Sequence, residues 1–157
     1  VYWASLQVSA GTPWDAYAYW TAAGRDAAAL YTDDLSAAKH FYGTVLGLES
    51  IAFVEGRHAF FRCGDAVVLI FDRRSTANVP TSVNGAQVPM HGASGAGHMA
   101  LAVADADLPA WRAHLEANGI AIESEVTWPR GARSIYVRDP AGNSVELASP
   151  RLWGLRE

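Results

Sequence analysis

The sequence predicts an α+β fold built from two tandem βαβββ modules. Three observations support this prediction: a strand, a helix and three further strands occur twice in the same order, both helices end at a glycine, and an aperiodic segment rich in Gly, Ser, Pro and Asn separates the copies. The 157 residues are 50% hydrophobic and 18% charged, which is typical of a globular protein with its own core.

In the first copy, a short strand over residues 28–32 precedes a helix that begins at Asp34. Apolar residues continue at i, i+3, i+4 and i+7 spacing as far as Leu46, and Gly47 follows as a C-cap. Three strand-like runs then alternate with short turns, at residues 49–54, 57–62 and 66–71. This copy therefore predicts one complete βαβββ unit.

The second copy repeats the pattern with a strand over 98–103 and a helix from Asp107 to Gly119. Its three later strands are predicted at residues 120–126, 133–138 and 144–147. The predicted divisions are an aromatic N-terminal extension, a first module, a linker, a second module and a C-terminal tail, at residues 1–25, 26–72, 73–96, 97–150 and 151–157. The aromatic extension is expected to pack on the domain or on a partner subunit.

Charge and composition exclude several classes of partner. The net charge is -4 and no run of Lys or Arg forms a stripe, so nucleic acid is not expected as a ligand. No apolar stretch reaches the roughly 18 residues of a membrane span. Cys63 is the one cysteine, so the chain cannot form an internal disulfide, which fits a cytoplasmic protein.

Strand alternation places two ligand-type side chains on a common face. Between positions 98 and 103, the large apolar residues Met99 and Leu101 should pack under the helix, so His98 faces away from it. In the last strand the flanking apolar residues also pack under the helix, which leaves Glu146 on the open face. An imidazole and a carboxylate from different strands should therefore point the same way.

Four segments resemble a known family: LYTDDLSAAKHFYGTVLGLE at 30–49, RHAFFRCGDAVVLIF at 57–71, GHMALAVADADLPAWRAHLEANGIAI at 97–122 and RSIYVRDPAGNSVELASP at 133–150. They resemble the vicinal oxygen chelate superfamily, which groups glyoxalase I, fosfomycin and bleomycin resistance proteins, and extradiol dioxygenases. The resemblance implies a partly open, barrel-like sheet around a cavity, with paired modules that are often contributed across a homodimer.

The resemblance also implies a metal held at four positions, at the start of the first strand and the end of the last strand of each module. In the second module these positions fall on His98 and Glu146, which suit a divalent Zn, Fe, Mn, Ni or Co ion. In the first module they fall on Ala27 and Val68, which cannot coordinate a metal.

Two protein ligands are fewer than the three that a catalytic divalent ion usually has. His58 is the candidate for the third, because strand alternation points it towards the cavity, and Asp26 is an alternative if a bulge turns it inward. The expected metal ligands are thus His98, Glu146 and His58, with Glu146 and His58 also taking part in catalysis. Without a metal, His98 and Glu146 would form the polar floor of the cavity.

Two function classes follow from the resemblance. The first is a metal-dependent dioxygenase or lyase acting on a small molecule whose two adjacent oxygens chelate the ion. The apolar residue at Val68 removes a carboxylate that the first module usually supplies, which disfavours isomerisation of a hemithioacetal as in glyoxalase I. The alternative is a metal-free resistance protein that sequesters a drug or metabolite by stacking.

Five side chains are expected to bind substrate in either class: Phe60, Arg62, Trp128, Tyr136 and Arg138. The aromatic members could equally be core residues. The two arginines end equivalent strands, where they either clamp an anionic substrate or anchor turns through salt bridges to Asp65 and Asp139.

Overall fold

The computed structural model describes residues 27–155 together with a two-residue strand at positions 4–5. Its strands are β1 Ala4–Ser5, β2 Ala27–Thr32, β3 Glu49–Val54, β4 His58–Cys63, β5 Ala66–Asp72, β6 Thr81–Val83, β7 Ala86–Val88, β8 His98–Ala102, β9 Ser124–Thr127, β10 Arg133–Arg138 and β11 Ser144–Ala148. Its helices are α1 Leu35–Lys39, α2 Arg73–Asn78 and α3 Leu108–Ala117, and a π-helical turn over His40–Val45 continues α1. Within this part of the chain, no helix has the length and apolar character that a membrane span requires.

The strands form two main sheets that repeat one pattern. The first sheet has the order β2-β5-β4-β3 and the second has the order β1-β8-β11-β10-β9. In each sheet the first and last strands of one module run parallel to each other, and all other neighbours are antiparallel. The predicted α+β fold with two similar modules is therefore confirmed, and the described strands do not close into a barrel. Apart from β1, the predicted aromatic extension lies outside the described residues.

The helices cover one face of each sheet and contribute to a single core. Leu30 and Ile70 in the first sheet, and Met99 and Leu147 in the second, are almost completely buried and belong to one continuous apolar cluster. Complete burial of such a side chain contributes about 1.5–3 kcal/mol. The helix-covered faces therefore supply the stability, and the opposite face of each sheet, here called the open face, carries polar and aromatic side chains.

The segment between the modules is more ordered than its composition predicts. Asp72 caps α2 by accepting a hydrogen bond from the backbone N–H of Ser75 at 2.7 Å. The following hairpin, β6 and β7, turns at Asn84 and Gly85 with φ angles of +50° and +82°. An Asn-Gly pair is a strong hairpin signal, but the three-residue strands on either side are too short to show alternation. The predicted linker over residues 73–96 thus contains a short helix and a hairpin that its composition does not predict.

The start of β9 also differs from its prediction. The run 120–126 was predicted as a strand, whereas β9 begins only at Ser124. Ile120 and Ile122 pack instead against the core, and the N–H of Ile120 bonds to the carbonyl of Leu115 at 2.9 Å, which closes the end of α3. The apolar residues in this run thus pack on the core beside the end of α3. An alternating pattern alone does not distinguish such residues from those of a strand.

The open face of the first sheet carries an aromatic cluster, defined as Tyr31, His58, Phe60, Phe71 and His91. The rings of His58 and Phe60 are stacked with centroids 4.1 Å apart, and the ring of His91 meets Phe71 edge-on at 4.7 Å. His91 Nδ1 also lies 2.9 Å from the Tyr31 hydroxyl. The segment between the modules therefore folds back over this face and contacts it through His91.

Both histidines of the aromatic cluster have a pKa below the usual value of 6.5, chiefly because of burial and secondly because of the Arg57 cation. The unfolded chain takes up protons on these imidazoles at a higher pH than the folded chain does. Their contribution to stability is therefore complete above pH 6.5 and is lost as the pH falls through the lower pKa of the folded state.

Replacing His58 and His91 together with Gln should reduce the loss of stability in acid. Between about pH 7 and about pH 5, the free energy of unfolding of the wild-type chain should fall more than that of the double variant. Urea unfolding followed by tryptophan fluorescence measures both. His40→Gln, which changes an exposed histidine at the end of α1, should retain the wild-type slope. Equal slopes in all three proteins would contradict preferential protonation of these histidines in the unfolded chain.

Candidate functional site

His98 and Glu146 come together on the open face of the second sheet. They lie on the parallel neighbours β8 and β11, where His98 is opposite Ser144 and Glu146 is opposite Ala100. This register makes the two side chains diagonal neighbours, with His98 Nε2 3.3 Å from Glu146 Oε2. The predicted convergence of the two side chains is confirmed.

Glu146 is a nearly buried carboxylate with one unsatisfied oxygen. Its side chain is 5% exposed, against 22% for His98. Its Oε1 atom is buried and has no hydrogen-bond partner among the residues that the structure describes. A buried acceptor without a partner costs free energy, so this oxygen is available to a cation or a hydrogen-bond donor from outside those residues.

The environment nevertheless favours the charged form of Glu146. Burial alone would raise the pKa of its carboxyl, but the His98 imidazole and the hydroxyls of Ser134 and Tyr136 outweigh burial and hold the pKa below its usual value. The carboxyl is therefore ionised at neutral pH, and it can accept a proton or bind a cation.

Strand β10 supplies the neighbouring part of the open face. Tyr136 is directly opposite Glu146, and its ring is stacked at 6.2 Å from the ring of His98. Burial, followed by the Glu146 carboxylate, raises the pKa of Tyr136, so its hydroxyl stays protonated. The indole N–H of Trp128 donates a hydrogen bond to Ser134 Oγ at 2.9 Å. Of the predicted substrate-binding residues, Tyr136 thus lies beside the pair, and Trp128 is joined to it through Ser134.

Ser134 is the residue at this site that the sequence pattern does not single out. It is almost completely buried, and its hydroxyl helps to hold the Glu146 pKa down. Strand alternation does place it in phase with Tyr136, which is the signal that could have found it. Its Trp128 partner comes from beyond the end of β9, a contact that alternation does not predict.

The register corrects one of the two vacant positions in the first module. In the second sheet, Glu146 lies two residues beyond the partner of His98. The same step in the first sheet leads from Ala27 to Leu69. Val68, the predicted position, is completely buried on the helix-covered face, because successive strand residues alternate in direction. The prediction was therefore wrong by one residue. Leucine is also unable to bind a metal, so the first module still offers no ligand at either position.

His58 does not complete a metal site within one chain. It lies in the first sheet, stacked on Phe60, and the described residues contain no group of three or more His, Cys, Asp or Glu side chains that could hold an ion. Asp26 lies outside the described residues. The donors His98 and Glu146, one with a free oxygen, suit a divalent ion that takes its remaining ligands from a substrate or a second chain.

Arg62 and Arg138 form exposed ion pairs with glutamates. Arg62 Nε lies 3.1 Å from Glu49 on the neighbouring strand, and Arg138 Nε lies 2.7 Å from Glu123. Exposed pairs of this kind contribute about 1 kcal/mol at most, so either arginine can exchange its partner for an anionic ligand. These pairs correct the predicted turn-anchoring partners, which were Asp65 and Asp139.

The chain matches the model of the Glyoxalase/Bleomycin resistance protein/Dioxygenase superfamily over residues 24–147. A lactoylglutathione lyase from Agrobacterium tumefaciens, known from its crystal structure, is 41% identical with a TM-score of 0.76, covering 82% of this chain and 95% of that chain. A glyoxalase/bleomycin resistance protein/dioxygenase from Nocardioides is 25% identical with a TM-score of 0.61, covering 78% and 80%. No curated protein is significantly similar. The chain therefore belongs to the Glyoxalase/Bleomycin resistance protein/Dioxygenase superfamily.

Proposed function

We propose that the chain is a metal-dependent enzyme of the lyase type, in which His98 and Glu146 bind a divalent ion beside a small oxygenated substrate. The observation that carries this proposal is the buried Oε1 of Glu146, which has no hydrogen-bond partner among the described residues, next to an imidazole 3.3 Å from the other oxygen of the same carboxylate. Imidazole and carboxylate are suitable ligands for Zn, Fe, Mn, Ni or Co. The lactoylglutathione lyase from Agrobacterium favours the lyase over the dioxygenase alternative, against the expectation that the missing first-module carboxylate disfavours hemithioacetal isomerisation.

A bound divalent ion would supply Lewis-acid chemistry by polarising a substrate oxygen. The residues around it have separate tasks. Glu146 is ionised at neutral pH because its pKa is lowered, which suits a metal ligand, and it can receive a substrate proton only as a weaker base than an ordinary carboxylate. Tyr136, with its raised pKa, remains a hydrogen-bond donor beside that carboxylate. Since Ala27 and Leu69 offer no second carboxylate, proton transfer at this site falls to Glu146.

We further propose that the enzyme acts as a homodimer in the cytoplasm. The open face of the first sheet is only partly covered and largely aromatic, so a second chain that packed on it would bury apolar area. A second chain could also bring its own first sheet towards the His98 and Glu146 pair. Among the described residues of one chain, His58 does not join this pair in a metal-binding group, so a second chain is the route by which His58 could act as a ligand.

Loss of either ligand should strongly weaken metal binding. Wild-type protein purified without chelator should carry about one divalent ion per chain in elemental analysis, and His98→Ala or Glu146→Gln should weaken Zn²⁺ binding by at least about 100-fold, the upper end of what loss of an outer-shell partner costs. Formation of lactoylglutathione, the compound in the Agrobacterium protein's name, from the corresponding hemithioacetal should fall in parallel.

His40→Ala is the matched control, because this histidine is exposed and lies away from the open faces. It should keep wild-type metal content and turnover. Equal metal content in the wild-type and His98→Ala proteins, or full turnover after removal of the metal, would rule out the proposed role of the pair.

The aromatic cluster favours a second candidate function, that of a metal-free binding protein for a drug or metabolite with planar rings. Stacking on an aromatic side chain contributes about 0.5–1.5 kcal/mol beyond burial of area. Phe60 lies between His58 and Phe71 in this cluster, with its ring 5.3 Å from that of Phe71. In this function His98 and Glu146 would form a polar floor.

Under this second candidate, protein treated with a chelator should bind metal-free bleomycin, and Phe60→Leu should weaken binding about threefold to tenfold. Phe53→Leu is the control, since Phe53 pairs with Ala59 and lies against Lys39 on the other face of the same sheet. Isothermal titration measures all three proteins. Binding that depends on added metal, or that is equally weakened by both substitutions, would count against this candidate.

A further inference from the structure

A buried polar group outside the candidate site joins the two modules. It consists of Tyr42, Asp139 and Asn143, called here the buried hub, and each member is at most 4% exposed. The Tyr42 hydroxyl donates to Asp139 Oδ2 at 2.8 Å, and Asn143 Nδ2 donates to the same oxygen at 2.8 Å. A residue of the first module's helical segment is thus bonded directly to the loop between β10 and β11.

The buried hub makes more hydrogen bonds than are needed to hold the loop between β10 and β11. Asp139 Oδ1 already holds the loop by accepting from the backbone N–H groups of Ala141 and Asn143, at 2.9 and 2.8 Å. Asn143 adds two bonds that leave the loop: Nδ2 donates to the carbonyl of Tyr31 at 3.2 Å, and Oδ1 accepts from the N–H of Gly97 at 2.7 Å. The second of these reaches the residue immediately before His98.

Both backbone polar groups of Gly97 are therefore fixed to the start of β11. Its N–H bonds to the Asn143 side chain, and its carbonyl accepts from the N–H of Ser144 at 2.8 Å. Ser144 is also the residue opposite His98 in the parallel register. Strand ends fray unless their backbone groups are paired, so these two bonds hold the backbone of His98 against the strand that carries Glu146.

The packing around Gly97 is close. A Cβ atom there would lie 2.6 Å from Leu30 Cδ2 and 3.2 Å from Asn143 Oδ1. A side chain at position 97 would therefore displace the buried Leu30 and press on the Asn143 amide, which lies directly on the backbone that leads into His98.

We propose that Asn143 is a positioning residue for His98, acting through its hydrogen bond to Gly97, with Asp139 holding the Asn143 side chain. As a contribution to metal binding this role rests on the proposed function, whereas its effect on the His98 side chain does not. The loop that precedes β11 thereby acts as an outer support of the site, although it contributes no ligand to it.

Asn143→Ala and Tyr42→Phe separate positioning from stability. Both remove hub hydrogen bonds and should lower the free energy of unfolding, but only the first removes the acceptor for Gly97. Asn143→Ala should weaken Zn²⁺ binding by about 10-fold or more, as the loss of an outer-shell partner does, and Tyr42→Phe should change it by less than about threefold. Titration calorimetry is done at a temperature at which both variants are folded.

Measurements without metal keep the two proposals distinguishable. In the Zn²⁺-free protein, Asn143→Ala should speed hydrogen exchange at the Gly97 amide and broaden or split the His98 ring ¹³Cε1 signal, and Tyr42→Phe should do neither. If the wild-type chain binds no Zn²⁺ while these effects appear, the proposed function fails and the positioning role stands. Unchanged exchange and ring signals in Asn143→Ala would overturn the positioning role whatever the metal result.

Asn143→Asp provides a further test, which also applies if the alanine variant does not fold. It keeps an oxygen acceptor for Gly97 but places a second carboxylate beside Asp139, so stability should fall while the His98 ring signal and Gly97 exchange remain as in the wild-type chain. A His98 signal that broadens in Asn143→Asp while the Gly97 amide stays protected would overturn the proposal, because the bond would then be present without its effect.

Discussion

The parallel pairing of β8 with β11 is the constraint on which the candidate site depends. It sets the diagonal step between His98 and Glu146, and a slip of one residue would turn the Glu146 carboxylate into the apolar core. The core itself prevents that slip, because Met99 and Leu147 fill the helix-covered face of the same two strands. The geometry of the polar pair is thus determined by the packing of apolar residues on the other side of the sheet.

The two modules use the same backbone pattern for different chemistry. At equivalent diagonal positions the second sheet has an imidazole and a carboxylate, whereas the first has Ala27 and Leu69. Around these positions the first sheet presents stacked rings and the second presents hydroxyls and a buried charge. The repeat therefore specifies where side chains point. The residue types at those positions give the first module apolar contacts and the second module charged groups.

Strand alternation and helix periodicity predict much of this structure, because both follow from backbone geometry alone. They place the βαβββ repeat and the shared face of His98 and Glu146 correctly. They fail where a single residue of phase matters, as in the choice of Val68 over Leu69, and where elements are too short for a pattern, as in the hairpin at Asn84. Contacts between distant segments, such as His91 with Tyr31, leave no local signal in the sequence, because they depend on how the connecting segment folds back.

The position of β11 in its sheet has a consequence for how the protein acquires its site. This strand is the last of the second module in the chain, yet it lies in the middle of the sheet, between β8 and β10. Strand β10 is close to β11 in the chain and forms a hairpin with it. Strand β8 is separated from β11 by α3, β9 and β10, so the pairing of β8 with β11 closes a long loop. Long-range pairings of this kind form late and slowly. During synthesis, the imidazole at position 98 therefore has no Glu146 carboxylate beside it until almost the entire second module has been made.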